Sequence, residues 1–345
     1  MLASSSPTGH ESVHVWLPVD VTSISEGARR REPAAGSASQ DGANPGLAYG
    51  LTVMPVSCVG GSPKTAAGQI AVSKIQVPGK VVPNWYHRWD RPNGLPWLMF
   101  GRATDAFYLC FPGLADFRIG RSTSIAYWPT AELPPSTLNH LLLDVVLPFY
   151  LSLRGELVCH GSAVTDGTAT VAFVGPSGSG KSTLAEHLVT RGWRLLADDA
   201  LVIRPSREGL GITPAYQGLR LWPDSASHLY PGYEGAAPVA HYMDKLRISP
   251  TDAAWPPPET PLKAVFLVEP GIRPLVERVS ARDAVIALTA SSFQLEVDDP
   301  AAIESSLAKI SDLVRSVRVM RLSVPRDWAQ LPEVEDAIRQ AAGIA

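Results

Sequence analysis

Apolar and polar positions change rhythm along this chain, and each change marks a different kind of element. Between Tyr49 and Pro129, short apolar runs alternate with Gly and Pro. Ile70-Ala-Val72, Ala106–Phe111, Asp116–Ile119 and Ser124–Trp128 read as strands separated by turns. Leu138 to Leu153 is the most apolar stretch, and it predicts a core helix over 136–154 with Ser136 as its cap after Pro134-Pro135. The stretch contains Asp144 and Pro148 and is short for a bilayer, so no membrane span is expected. Beyond it, strand and helix signals alternate. Val171–Val174, Trp193–Ala197, Leu201–Ile203, Ala264–Val268, Leu275–Val279 and Val317–Leu322 predict strands. Thr183–Arg191, Ala281–Thr289, Pro300–Ser316 and Pro332–Ala342 predict helices, and Arg282–Leu288 and Ile303–Val314 show apolar spacing near 3.6. Leu322–Asp327 reads as a strand running into a turn. The pattern predicts an α/β fold preceded by a smaller β-rich domain.

These shifts divide the chain into a flexible N-terminal arm (1–45), a β-rich domain ending in the helix (46–154) and an α/β domain (155–345). The arm is rich in Ser, Gly, Ala and Pro and carries Arg29-Arg30-Arg31, the pattern of a solvated tail. Trp85, Tyr86, Trp89 and Trp97 fall in a proline-containing loop region. They suit the core of the small β-domain better than a peptide grip. No internal repeat is visible.

Composition narrows the partners. The chain has 345 residues, 45% of them hydrophobic, enough for a sizeable core without staples. A formal net charge of −3 offers no basic footprint for nucleic acid. Cys58, Cys110 and Cys159 are scattered without a CxxC pair, which fits a reducing cytoplasm and argues against a zinc site or disulfide framework. The opening residues lack the basic start and apolar run of a signal peptide.

The chemistry concentrates at Gly175-Pro176-Ser177-Gly178-Ser179-Gly180-Lys181-Ser182, with Thr183 following. This has the spacing G-x-x-x-x-G-K-[ST] between a predicted strand and a predicted helix. Glycines let successive backbone N–H groups point inward, and the helix N-terminus adds its positive dipole end. Lys181 would reach the β- and γ-phosphates of a nucleotide, and the Ser182 hydroxyl would hold a magnesium ion. The strand after the helix ends at Asp198-Asp199, seventeen residues after Lys181. On an extended strand end, two adjacent acids point to opposite sides. One would face the metal and the other an incoming hydroxyl.

Cys159-His160-Gly161, Gly167, the loop from Gly175 to Thr183, Arg191-Gly192 and Leu195–Asp199 resemble the catalytic domain of HPr kinase/phosphorylase, related in fold to phosphoenolpyruvate carboxykinase. The likeness is tight from His160 to Asp199 and loose over the rest of the C-terminal half. Gly218–Asp224 and Asp244–Arg247 are similar to a bacterial branch that includes kinases tailoring a serine of lasso-type peptides. The resemblance implies an ATP- and Mg2+-dependent kinase acting on a serine hydroxyl of a peptide or small protein. It also implies an oligomer. The bifunctional members' further glycine-rich signature is not found; Tyr216–Arg220 stands in its place. HPr as substrate and phosphorylase activity therefore lose support.

By the same resemblance, Asp198 is expected as the base near the acceptor and Asp199 as the acid on the metal side, although the two roles exchange easily. His160 is expected near the phosphates, and an ordinary core histidine would also fit. Arg220, Lys245 and Arg247 are weaker candidates for phosphate or substrate contacts. Arg326 is left as structural. Two other readings share the site: a small-molecule kinase of the same architecture, and a nucleotide-sensing module without transfer. No LSGGQ-like segment favours a transport ATPase, and no NKxD segment favours a GTPase.

Overall fold

The computed structural model describes residues 48, 52–57 (backbone only), 69–76, 83–121, 124–215, 218–248 and 259–344. The expected arm, Arg29–Arg31, Cys58 and Tyr216 lie outside the described residues.

The first unit is a seven-stranded sheet. Its strands are β1 (Thr52–Ser57), β2 (Gln69–Lys74), β3 (Asn84–Asp90), β4 (Pro96–Arg102), β5 (Ala106–Phe111), β6 (Ala115–Gly120) and β7 (Ser124–Pro129). They run in the order β1-β2-β7-β6-β5-β4-β3. From β3 to β7 neighbours are antiparallel and joined by short turns, whereas β2 pairs with β7 in parallel. The aromatic stretch expected as loop is β3 and β4. Trp97 and Trp89 are buried, with Trp97 on Phe111 and Trp89 on Phe100. Trp, Tyr and Phe are strand-favouring residues that pack well on a pleated surface, and that outweighed the turn signal of the nearby prolines.

A long apolar helix then crosses to the second unit as α1 (Pro135–His140), a π-helical turn (Leu141–Val146) and α2 (Leu147–Leu153). Ser136 is not its cap. Pro134 holds the cap position without a side-chain bond and Pro135 opens the first turn, where a missing N–H costs nothing. This helix is long and apolar enough to cross a membrane, and 72% of its most apolar window is buried inside the protein.

The second unit is mixed α/β. Its strands include β8 (Leu157–Cys159), β9 (Gly161–Thr165), β10 (Thr170–Val174), β11 (Arg194–Ala197), β12 (Leu201–Ser206), β13 (Gly209–Thr213), β14 (Leu219–Leu221), β15 (Ala237–Pro238), β16 (Leu246–Ile248), β17 (Leu262–Gly271), β18 (Leu275–Arg278) and β19 (Arg318–Pro325). Six of them form the central sheet, in the order β11-β9-β10-β17-β19-β18. Strands β10, β17 and β19 are parallel, so Val174, Gly271 and Pro325 end on one edge. The helices are α3 (Lys181–Thr190), α4 (Pro223–Leu229), α5 (Ala281–Ala290), α6 (Pro300–Ser316) and α7 (Leu331–Ala342).

Alternation along β10 assigns the layers. Val171 and Phe173 face a core shared with Leu184 and Leu188 of α3 and with Val334 and Ile338 of α7. Ala172 and Val174 face the opposite core, which takes Leu288 of α5 and Ile310 and Leu313 of α6. That second core is continuous with the first unit. Trp89, Phe100, Phe149 and Phe293 pack in a chain of rings 5.1–5.2 Å apart between Trp89 and Phe100, Phe100 and Phe149, and Phe149 and Phe293. The expected boundary near 154 is thus crossed by one hydrophobic core.

Candidate active site

Strand β10 feeds the loop Gly175–Gly180, which opens α3 at Lys181. Two glycines are needed for different reasons. Gly180 holds the helix cap position at φ 99°, a conformation that costs an L side chain energy. Gly175 lies so close to β17 that a Cβ there would meet the Val268 carbonyl oxygen at 2.5 Å. The Lys181 ammonium donates to the Gly175 and Pro176 carbonyls at 2.9 and 2.8 Å, bracing the loop. Ser179, also in the loop, has a buried hydroxyl with no hydrogen-bond partner among the described residues. A buried hydroxyl normally has a partner, and an anion cradled by the loop would supply one.

The acids after β11 are arranged differently from the expectation. They do not continue an extended strand: Asp199 has φ 68°, the sole non-glycine in the left-handed region among the described residues. Such strain of about 1–3 kcal/mol persists only when neighbours impose it. Here His160 Nδ1 bonds the Asp199 carbonyl at 2.9 Å and the Gly161 N–H bonds it at 3.3 Å. The twist separates the two carboxylates. Asp198 points behind the loop, where its Oδ1 accepts from Ser162 at 2.6 Å and from Ser182 at 2.8 Å, and its Oδ2 accepts the Arg220 N–H at 3.1 Å. Asp199 turns toward the open cleft.

Arg220, on β14, ties the pair together. It is 2% exposed. One guanidinium nitrogen bonds the Asp198 carbonyl at 2.8 Å; the other lies 2.5 Å from the Asp199 carboxylate and 2.6 Å from Asp144. Asp144, on the π-helical turn, also bonds His140 at 2.7 Å and stands 3.7 Å from Arg247. Arg220 and Arg247 face each other in register on β14 and β16, where like charges repel. The Asp144 carboxylate between them offsets that repulsion.

The electrostatics follow from this packing. Burial, reinforced by the Asp199 charge, raises the Asp198 pKa against the pull of Arg220. Burial would also raise Asp199, but Arg220, then Lys245 and His160, outweigh it and hold that carboxyl well below its ordinary value. Asp144 is likewise lowered, because Arg220, His140 and Arg247 overcome its burial. Burial and then the nearby Lys181 charge push His160 down to about 3, so it is neutral. Its Nδ1 proton is committed to a carbonyl that can only accept, which leaves Nε2 as an acceptor. Glu186, one turn beyond Ser182 on α3, is fully buried without a partner among the described residues; burial and then Asp198 push it up to about 8.

The cleft in front of these groups has a volume of about 460 Å³, within the usual range of small-molecule sites. It gathers most of the sequence candidates: His160, Ser177, Gly178, Ser179, Gly180, Lys181, Ser182, Thr183, Asp199, Arg220 and Lys245. Gly175, Pro176 and Asp198 stand behind its wall. Arg247 does not reach the cleft and instead approaches Asp144. Lys245 lies over the Trp222 ring, 5.3 Å from its centroid. Arg326, read from sequence as structural, also lines the cleft, together with Trp222, Ser225 and Trp328. Ser162 and Asp144 were missed altogether. A lone acid inside the apolar run of 138–153 was the available signal for Asp144.

A divalent cation would find Ser182 and Asp198 here, 2.8 Å apart. No group of three or more His, Cys, Asp or Glu side chains suited to a metal occurs among the described residues. No protein-family profile matches the chain, and no curated protein matches it either.

Proposed function

We propose that this chain is a kinase of the HPr kinase and phosphoenolpyruvate carboxykinase architecture, transferring the γ-phosphate of ATP to a serine hydroxyl of a peptide or small protein. The observation that carries the proposal is the division of labour between the two acids around one glycine loop. Asp198 is tied to the Ser182 hydroxyl, while Asp199 is twisted into the cleft that the loop opens upon. A site that only bound nucleotide would have no use for the second, strained carboxylate.

The geometry favours exchanging the two roles expected from sequence. Asp198 is buried beside Ser182 and is the acid on the metal side. Asp199 is the acid an incoming hydroxyl can reach. Its low pKa keeps it ionised, and phosphoryl transfer through a loose transition state asks for positioning more than for a strong base. As the serine oxygen bonds to the γ-phosphorus and the bond from that phosphorus to the bridging oxygen breaks, releasing ADP, Asp199 takes the hydroxyl proton, a contribution of about 10²–10⁴-fold in rate. Lys181 and the loop N–H groups stabilise charge on the phosphate oxygens, with little reorganisation because the loop is already braced. His160 acts on the backbone of Asp199 and positions it. Magnesium, when bound, neutralises charge on the β- and γ-phosphates.

The test is transfer of labelled γ-phosphate from magnesium ATP to a panel of acceptors: a serine-containing precursor-type peptide, HPr, and none. Label on the peptide supports the proposal. Tight nucleotide binding with no label on any acceptor and no ADP formed would sink it in favour of a sensor.

A further inference from the structure

The cleft has two limbs of unlike chemistry on either side of the glycine loop. One carries His160, Asp199, Arg220 and Lys245 and is ionic. The other is built from Pro270, Val324, Pro325, Trp328 and Leu331, with Arg326 at its rim, and is mostly apolar. Sheet order separates them. Strands β9 and β11, which lead to the acids, lie on one side of β10; β17 and β19 lie on the other. Because β10, β17 and β19 are parallel, the apolar limb sits at the carboxyl ends of two strands beside the loop. In open α/β sheets ligands bind in that place.

We infer that the apolar limb takes the nucleobase and ribose of a purine nucleoside triphosphate, with the Trp328 indole as the surface on which the base stacks. The inference rests on the kinase reading, which places the terminal phosphate among the acids. A nucleoside triphosphate is charged at one end and flat and apolar at the other. With its phosphates on the loop and the terminal one toward Asp199, its base leaves the loop on the opposite side, over β17 and β19.

Trp328 is built to present a face. It opens a short 3-10 turn (Trp328–Gln330) whose start is held by Asp327, which accepts from the Ala329 N–H at 3.0 Å and from Gln330 at 2.9 Å. His228 of α4 stacks on the indole with centroids 4.2 Å apart and planes 20° from parallel. Trp328 lines the cleft and His228 does not. The imidazole therefore covers one face of the indole and fixes its plane, while the indole packs beside the core under α7 and still lines the limb. Stacking on an aromatic ring tolerates any base and favours the larger purines through contact area.

Titration calorimetry with magnesium ATP and with magnesium tripolyphosphate tests this on the full-length wild type, Trp328→Ala and Trp328→Phe. The wild type is expected to bind ATP more tightly than tripolyphosphate. Trp328→Ala should weaken ATP about 10- to 100-fold and leave tripolyphosphate within about twofold; Trp328→Phe should keep most of the ATP affinity. If Trp328→Ala fails to fold, the wild-type comparison of the two ligands together with Trp328→Phe still decides the matter. Equal weakening of both ligands would overturn the inference, since the indole would then only support the loop. So would unchanged ATP binding in Trp328→Ala, or a wild type indifferent to the base. A wild type that binds neither ligand would overturn the kinase reading as well.

Discussion

Arg220 offers a single guanidinium nitrogen to two acids, the buried Asp144 at 2.6 Å and the partly exposed Asp199 at 2.5 Å. The first belongs to the helix between the two units; the second faces the cleft. Asp144 is the counter-charge between Arg220 and Arg247, so removing its charge takes away a buried partner of both and leaves their mutual repulsion less offset. Asp144→Asn is expected to lower stability by about 3–5 kcal/mol, the usual cost of breaking a buried pair by removing one partner. Urea denaturation measures it. The folded fraction should transfer phosphate more slowly with little change in KM for ATP, because Asp144 touches neither the loop nor the cleft.

The exchanged roles of the acids separate in binding and rate. Asp199→Asn should keep magnesium-dependent nucleotide affinity and lose about 10²–10⁴-fold in single-turnover transfer. Asp198→Asn should instead raise the magnesium concentration needed for half-maximal binding. The opposite pattern would return the roles to the order first read from the sequence.

His160 makes stability depend on pH in the acid range. Its folded pKa is about 3, against about 6.5 in an unfolded chain. Between those values the unfolded chain holds a proton that the native protein does not, so stability falls as pH drops from about 6.5 toward 3. His160→Gln should flatten the denaturation midpoint over that window. Loss of its bond to the Asp199 carbonyl should also slow transfer.

Glu186 acts in the other direction. Its folded pKa, raised from 4.5 to about 8, means the native protein holds a proton that the unfolded chain has lost. Stability from this group is full below about 4.5 and drains away as pH rises to about 8. Glu186→Gln, which keeps the shape without the titration, should therefore gain on the wild type as pH increases, read from midpoints at pH 5 and pH 8.

Gly175→Ala puts a Cβ 2.5 Å from the Val268 carbonyl oxygen on a rigid central strand. The loop must move away from β17. Lower thermal stability is expected, with tripolyphosphate affinity reduced at least about tenfold, since that backbone shift misaligns the N–H groups.

Much of this molecule was legible in the chain itself. Local signals set the elements: the bounds of α6, the glycine loop between a strand and a helix, and the run into a turn after β19 all depend on residues near one another in sequence. Period-2 alternation alone assigns Val171 and Phe173 to one layer and Ala172 and Val174 to the other. The α/β character and the placing of Lys181 and Ser182 at a helix start follow from the same short-range rules. What tertiary structure decided are the long-range pairings. Asp199 leaves the extended conformation because His160, thirty-nine residues away, grips its carbonyl. Asp144 belongs to the site because a helix buried for its apolar surface delivers a lone carboxylate between two arginines. Trp328 faces the cleft because β19 lies two strands from β10. None of these has a local cause. Each arises where burial forbids an unpaired charge or where sheet order sets distant chain ends on one edge, and neither condition can be read along a single strand of sequence.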